Sequence, residues 1–227
     1  VPSEGICMTM VAGSFAKLDA AVKQQAMLGH IDIGHTRWAT HGAANQVNAH
    51  PHLGGQGAVT LVHNGVIENY EVLKQSLMHK GYVFRSQTDT EVIAHLIADQ
   101  LKTIVGEEYE IPTAQQCVEA VQATLPLLRG TYGLLVMFRD HVDLLVAARC
   151  GSPLVVGVGK GEQYVASDTS PLVGYTERII YLADHQLAII RPDNIQVLHR
   201  DLGRVRPEIQ QLTAQSLDVQ LEGFPPP

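Results

Sequence analysis

The stretch Arg129-Gly-Thr-Tyr-Gly-Leu-Leu-Val-Met-Phe138 marks the point where the hydrophobic pattern of this 227-residue chain changes. Before it, apolar residues recur at helical spacing. After it, short apolar segments follow one another, separated by Gly, Asp, Asn and Pro, as in antiparallel strands joined by turns. Consecutive helices followed by consecutive strands, without regular alternation, predict an α+β fold.

The pattern also predicts individual elements. In the second half we expect an antiparallel meander of seven strands, at 132–138, 142–148, 154–157, 164–166, 179–182, 187–191 and 195–198. In the first half we expect a helix over 17–28, a strand near 31–37, a long loop over 40–57 and a strand over 58–63. Helices are predicted over 69–80, from Thr88 and from Thr113. The run Thr88-Asp89-Thr90-Glu91 has the form of a capping box.

Composition excludes several classes of protein. The chain has 16 Lys and Arg against 23 Asp and Glu, for a net charge of -7, with no basic run, which argues against nucleic-acid binding. No stretch approaches the roughly 18 apolar residues of a membrane span. The N-terminal residues lack the features of a secretory signal. Three widely spaced cysteines form neither a disulfide framework nor a zinc pattern, which favours a reducing compartment and a cytoplasmic location.

The densest polar cluster is the run His35-Thr-Arg-Trp-Ala-Thr-His-Gly42. The Arg37 guanidinium is suited to a two-pronged contact with a carboxylate, and Trp38, the single tryptophan, lies beside it. The alternative is structural: Arg37 pairs with a surface acid and Trp38 fills the core.

A second cluster, His63-Asn64-Gly65, also has two interpretations. Asn-Gly after an apolar strand is a common hairpin turn. However, the residues that follow are not an obvious return strand, so the Asn64 amide and the Gly65 N–H could instead form an oxyanion hole.

A third cluster contains Asp89. Its position in the first turn of a helix is favoured by the helix dipole alone, whereas a functional role requires a cation such as a substrate ammonium. His50, His52 and His63 are possible metal ligands, although a third ligand at suitable spacing and a nearby carboxylate are missing, and no metal site is predicted.

Taken together, the three clusters resemble the glutaminase domain of the glutamine–fructose-6-phosphate aminotransferase family, which is of the N-terminal-nucleophile (Ntn) amidotransferase type. Further matching stretches include Asn48–His52, Leu128–Gly133, Gly151–Leu154 and Ala166–Asp168. The resemblance implies a four-layer αββα sandwich with two mainly antiparallel sheets. It also implies hydrolysis of the glutamine side-chain amide, with ammonia passing to a sugar isomerase domain that makes glucosamine 6-phosphate, and no cofactor.

The same resemblance implies residue roles. Arg37 would hold the substrate carboxylate, with Thr40 and His41 in the same loop, and Trp38 would act as a lid. Asp89 would bind the α-ammonium group. Asn64 and the Gly65 N–H would form the oxyanion hole.

The family's nucleophile is a cysteine that is the first residue and uses its own α-amino group as base. This chain instead begins Val1-Pro2-Ser3-Glu4, and Cys7 is internal. We therefore expect the 227 residues alone to be inactive. They are a fragment of a full enzyme, a truncated polypeptide, or a natural domain that binds glutamine or regulates a partner without cleaving. The retained substrate-holding residues favour the first two.

The expected organisation is a glutaminase domain over residues 1–222 and a Pro-rich end or linker over 223–227. The expected partners are glutamine and the C-terminal sugar isomerase domains, which act on fructose 6-phosphate. A homodimer is expected of the full-length enzyme.

Overall fold

The second half of the chain and one segment of the first half form two antiparallel sheets. A computed structural model describes residues 7–11, 15–24, 29–36, 42–43, 45–106 and 110–212. Its strands are β1 His52–Gly54, β2 Val59–Ile67, β3 Gly130–Phe138, β4 His141–Cys150, β5 Val155–Val158, β6 Gln163–Ala166, β7 Arg178–Tyr181, β8 Gln186–Arg191, β9 Asn194–His199, β10 Gly203–Val205 and β11 Gln210–Gln211. The first sheet has the order β1-β2-β3-β4-β8-β9-β10 and the second β11-β7-β5-β6.

Four α-helices accompany the sheets in the described part of the chain: α1 Phe15–Gln24, α2 Tyr70–His79, α3 Asp89–Val105 and α4 Ala114–Thr124. They confirm the predicted helices, although residues 25–28 of the first prediction lie outside the described residues. The predicted apolar face of α3 is buried in full, from Val92 and Ile93 to Leu101. None of the described helices combines the length and the apolar character that crossing a bilayer requires.

The first sheet is covered on both faces. On one face, side chains of α3 and α4 pack with sheet residues such as Leu61, Leu134 and Val146. On the other face, Ala147 and Ala188 of the first sheet pack against Val156 and other apolar residues of the second sheet. Two antiparallel sheets face to face, with α3 and α4 packed on the outer face of the first sheet, confirm the predicted α+β class.

All seven strands predicted in the second half are present, but they do not form one meander. β5, β6 and β7 leave the first sheet and build the second, while β8 returns to pair with β4. The physical reason is burial, because the inner face of the first sheet is apolar and the excursion brings Val156 and Ile180 against it.

Two predictions in the first half are wrong. Residues 31–36 form no strand, and the rest of that predicted strand lies outside the described residues. The predicted loop over 40–57 contains β1, a three-residue edge strand that pairs with β2 through Leu53 and Thr60. Such a short strand has no periodicity of its own and exists through its partner.

Candidate active site

The strand β2 continues through Asn64-Gly65, so the hairpin interpretation is wrong. Asn64 lies opposite Gly133 of β3, and Gly65 lies opposite Tyr132. Gly65 has φ +135°, and a Cβ at this position would lie 2.1 Å from the carbonyl oxygen of Thr131. The glycine is therefore required by the close approach of two strands, not by a turn.

The N–H groups that follow Gly65 are taken up by side chains. Val66 N donates to Thr131 Oγ1 at 3.3 Å, and Ile67 N donates to Asp89 Oδ2 at 2.8 Å. Gly130 on β3 mirrors Gly65, since its Cβ would lie 2.1 Å from the Val66 carbonyl oxygen. The end of β2 is thus held against β3 and against the first residue of α3.

Asp89 is a buried carboxylate, only 3% exposed. The helix dipole alone accounts for an acid at a helix start, but it does not account for a buried one that bonds a neighbouring strand. The hydrogen bond from Ile67 N uses one of the two carboxylate oxygens, and a carboxylate can accept several hydrogen bonds. Asp89 is therefore a negative charge fixed beside the residues that follow Asn64.

The first turn of α3 departs from the predicted capping box. Thr88 is the N-cap and accepts from Glu91 N at 3.2 Å, as expected. The Glu91 carboxylate, however, does not return to the Thr88 N–H. It accepts from Arg85 N at 2.8 Å and from both Ser86 N and Ser86 Oγ, at 2.6 and 2.7 Å. A reciprocal capping box is found instead at the start of α4, between the N-cap Thr113 and Gln116.

The Glu91 hydrogen bonds set its charge. Burial acts to raise the pKa of Glu91, but the nearby His95 ring and the hydrogen bonds from Ser86 and the Arg85 N–H outweigh it and lower the pKa to about 2. His95 Nε2 is 3.8 Å from Oε1, too far for a direct hydrogen bond, so the donors on Arg85 and Ser86 hold the carboxylate. The ionised Glu91 carboxylate thus holds segment 85–86 in place.

This segment in turn holds the loop before β1. The buried Asn48 accepts from Gln87 N at 2.9 Å through Oδ1 and donates to the Ala43 carbonyl at 3.1 Å through Nδ2. Asn48 N also donates to Asn45 Oδ1 at 3.0 Å. The side chain of Asn48 therefore joins the loop to the approach of α3.

Four histidines line the same region. Their contacts are His35 Nε2 to Asn64 Oδ1 at 2.8 Å, His50 Nε2 to Thr90 Oγ1 at 3.1 Å, His52 Nε2 to Thr88 Oγ1 at 3.0 Å and His63 Nδ1 to Thr90 Oγ1 at 3.2 Å. The described residues contain no group of three or more His, Cys, Asp or Glu arranged to hold a metal ion. The nitrogens are instead engaged with threonine hydroxyls and an amide.

The structure brings together three of the predicted site residues, Asn64, Gly65 and Asp89. The other four, Arg37, Trp38, Thr40 and His41, lie outside the described residues. The pattern did not indicate roles for His35, Thr90 or Asn48. A usable signal was the density of histidines in a Gly- and Asn-rich segment beside a buried strand, which we interpreted as possible metal ligands.

Comparison with known proteins assigns the chain to a family. Residues 35–174 match the family described as "Glutamine amidotransferase domain". The chain belongs to this family. The matched segment of the amidotransferase domain contains all seven predicted site residues.

Curated relatives are more specific. The domain is 43% identical over 203 residues to glutamine–fructose-6-phosphate aminotransferase [isomerizing] of Vibrio vulnificus (strain CMCP6), covering 89% of this chain and 31% of the relative. It is 45% identical over 194 residues to the protein of the same name from Thermococcus kodakarensis, covering 86% and 31%. The chain thus spans about a third of the length of these relatives.

Solved structures confirm the Ntn-type amidotransferase fold. A structure described as the allosteric regulatory enzyme of purine biosynthesis matches with a TM-score of 0.53 and 26% identity, covering 79% of this chain and 34% of that one. Glutamine phosphoribosylpyrophosphate amidotransferase from B. subtilis matches with the same TM-score and coverage at 24% identity. The second likeness shows the fold alone.

Proposed function

We propose that this amidotransferase domain hydrolyses the side-chain amide of glutamine and supplies the ammonia that converts fructose 6-phosphate to glucosamine 6-phosphate. The names of relatives at 43 and 45% identity support this substrate pair. The observation that carries the hydrolytic step is the exposed Asn64 amide on an uninterrupted β2, next to a glycine with φ +135°.

In the proposed reaction, a cysteine thiolate attacks the glutamine amide carbon, ammonia leaves, and water releases glutamate from the acyl-enzyme. The family resemblance assigns the attack to an N-terminal cysteine whose α-amino group accepts the thiol proton and, in this proposal, delivers it to the leaving nitrogen, which departs as ammonia. The full-length enzyme is therefore the form to assay. Negative charge develops on the amide oxygen during attack. The Asn64 amide and the Gly65 N–H are neutral donors suited to that charge.

The remaining groups would bind the two ends of the substrate that do not react. Asp89 is proposed to pair with the α-ammonium group, and Arg37 with the α-carboxylate. Trp38, Thr40 and His41 are proposed to complete the pocket around the side chain. Opposite charges held at a fixed separation select a free amino acid and place its amide at the nucleophile.

The further proposal is that sugar isomerase domains of the full-length enzyme use the ammonia, in a cytoplasmic homodimer. Glutamine-dependent formation of glucosamine 6-phosphate tests this step, while release of ammonia from glutamine tests the hydrolytic step alone. Glutamine binding without either product would instead support a binding domain that does not cleave.

The decisive variant is Asn64→Ala in the full-length enzyme. Loss of one oxyanion donor lowers turnover by about 10²–10³. KM for glutamine should change little, since the donor acts chiefly in the transition state. Asn64→Asp should be at least as damaging, because a carboxylate repels the developing oxyanion.

Asn69→Ala is the matched control. The Asn69 side chain donates to the Leu127 carbonyl at 2.9 Å and accepts from Arg129 N at 3.0 Å, so it joins the start of α2 to the lead into β3. This variant should lower the melting temperature and leave kcat within a few-fold. Near-normal kcat for Asn64→Asp would overturn the oxyanion assignment.

A further inference from the structure

The contact between His35 and Asn64 determines which end of the Asn64 amide faces away from the histidine. His35 Nε2 lies 2.8 Å from Asn64 Oδ1. An amide oxygen can only accept, so His35 Nε2 carries the hydrogen and donates it. With Oδ1 held in this way, the opposite end of the amide is Nδ2, which has two N–H groups.

We propose that His35 is a positioning residue that holds the Asn64 amide with its N–H end towards the oxyanion. This inference rests on the proposed function of Asn64. An asparagine amide has two nearly isosteric orientations, related by a half-turn. The orientation with Oδ1 in the site would place a partial negative charge against the developing oxyanion.

The ring of His35 lies against that of His50, with centroids 4.2 Å apart and planes inclined by 37°. His50 is itself fixed by hydrogen bonds. His63 N donates to His50 Nδ1 at 3.4 Å, so this nitrogen is the acceptor of the neutral ring. His50 Nε2 then carries the hydrogen and donates to Thr90 Oγ1 at 3.1 Å.

The chain of hydrogen bonds continues in one direction. His63 Nε2 lies 3.3 Å from the Thr131 carbonyl oxygen, which can only accept, so Nε2 carries the hydrogen. In the neutral ring, His63 Nδ1 is then the acceptor for the Thr90 hydroxyl at 3.2 Å. Asp89 Oδ2 is farther from Nδ1, at 3.9 Å, which is beyond hydrogen-bond distance.

Thr90 therefore accepts from His50 and donates to His63. The backbone of β2 and β3 fixes both ends of this series of hydrogen bonds. Turning the His50 ring would break two hydrogen bonds. The surface against which His35 lies is thus held by the sheet and by α3, and it sets the height and tilt of the His35 ring.

The test uses substitutions of His35 in the full-length enzyme. His35→Leu removes the donor that favours one orientation of the Asn64 amide. Loss of one neutral hydrogen bond corresponds to a fall of about 5- to 10-fold in kcat, with KM for glutamine unchanged. His35→Gln should restore most of kcat, because a glutamine amide can place an N–H near the position of the histidine Nε2. His35→Asn is shorter by one methylene group and should resemble His35→Leu.

A double-mutant cycle shows whether His35 acts through Asn64. In an Asn64→Ala background, His35→Leu should cause no further loss of kcat. His79→Leu, at the exposed end of α2, is the control for removal of a histidine and should leave kcat unchanged.

The outcomes separate the two proposals. If Asn64→Ala lowers kcat by 10² or more while His35→Leu leaves it unchanged, the positioning role is wrong and the proposed function stands. An equal effect of His35→Leu in both backgrounds also overturns the positioning role. If Asn64→Ala has no effect on kcat, the oxyanion assignment fails and the role of His35 fails with it. Should His35→Leu not fold, the comparison of His35→Gln with His35→Asn decides the matter.

Discussion

The buried carboxylate of Glu91 connects the stability of the fold to pH. In Glu91→Gln, the amide oxygen can replace one acceptor, but the amide NH2 then faces a donor at Arg85 or Ser86. Those donors lie 2.6–2.8 Å from the carboxylate oxygens in the native protein. A donor facing a donor in a buried site leaves both without a partner, so we expect a clear loss of stability.

The magnitude follows from the pKa of Glu91. Hydrogen bonding overcomes burial and lowers it from 4.5 to about 2. A lowered carboxylate pKa adds stability that is fully present above the unfolded-state pKa and is lost as pH falls through the folded-state pKa. The difference corresponds to about 3 kcal/mol at pH 7, of which about 1 kcal/mol is lost by pH 4 and about 2 kcal/mol by pH 3.

Urea unfolding of the wild type and Glu91→Gln at pH 7, 4 and 3 measures this contribution. The gap in unfolding free energy should be about 2–3 kcal/mol at pH 7 and should narrow as pH falls. Glu119→Gln removes an acid from an exposed pair with Gln115 on α4 and should change stability by less than about 0.5 kcal/mol. A gap that stays constant from pH 7 to pH 3 would refute the assignment of the stabilising charge to Glu91.

Two further predictions follow from the strand end and from Asp89. Gly65→Ala should destabilise the protein by more than about 3 kcal/mol or prevent folding, because its Cβ would collide with Thr131. The control Gly81→Ala, also at positive φ but facing open space, should cost about 1 kcal/mol. The melting temperatures of the two variants measure the difference. Asp89→Asn keeps an acceptor for Ile67 N but loses the charge, so glutamine affinity should fall by tenfold or more, whereas binding of glutaramic acid, which lacks the α-amino group, should not change. Equal losses for both ligands would reduce Asp89 to a structural role.

Local pattern predicted most elements, because the decisive information is local. The seven strands predicted after residue 129 are short, apolar and bounded by turn residues, and each one is present. The polar strands β10 and β11 were not predicted. Local pattern did not predict the division of those strands between two sheets, since the division depends on which faces remain to be buried; only the resemblance implied two sheets. β1 was missed for the same reason: His52–Gly54 is a strand only through its pairing with Val59 to Leu61.

Asn64-Gly65 shows the limit of local pattern more sharply. The dipeptide fits a hairpin turn equally well, and its actual environment is set by Tyr132 and Gly133, almost 70 residues away. The close approach that requires Gly65 is a property of the strand pair. Sequence resemblance favoured the alternative to the turn because it joins distant motifs, which the pattern of one segment cannot do.

Asp89 and the histidines were identified as candidates, but their partners were not. The bond from Ile67 N to Asp89 and the contact of His35 with Asn64 join residues 22 and 29 positions apart. The histidines were considered as possible metal ligands because their actual partners are distant in sequence. Those partners are threonine hydroxyls at the start of α3. Side-chain partners of this kind become visible only after the helix has been placed beside the sheet.

The first turn of α3 explains why stability and site geometry cannot be changed independently in this domain. Four successive buried side chains reach different parts of the site, as follows: Thr88 to His52, Asp89 to Ile67, Thr90 to His50 and His63, and Glu91 to Arg85 and Ser86. A helix that had only to cover the sheet would expose its polar first turn to water. Here that turn is buried because each of its side chains has a partner. Loosening the Glu91 contacts therefore disturbs the segment that Asn48 binds through Gln87, and with it the loop that leads to His50.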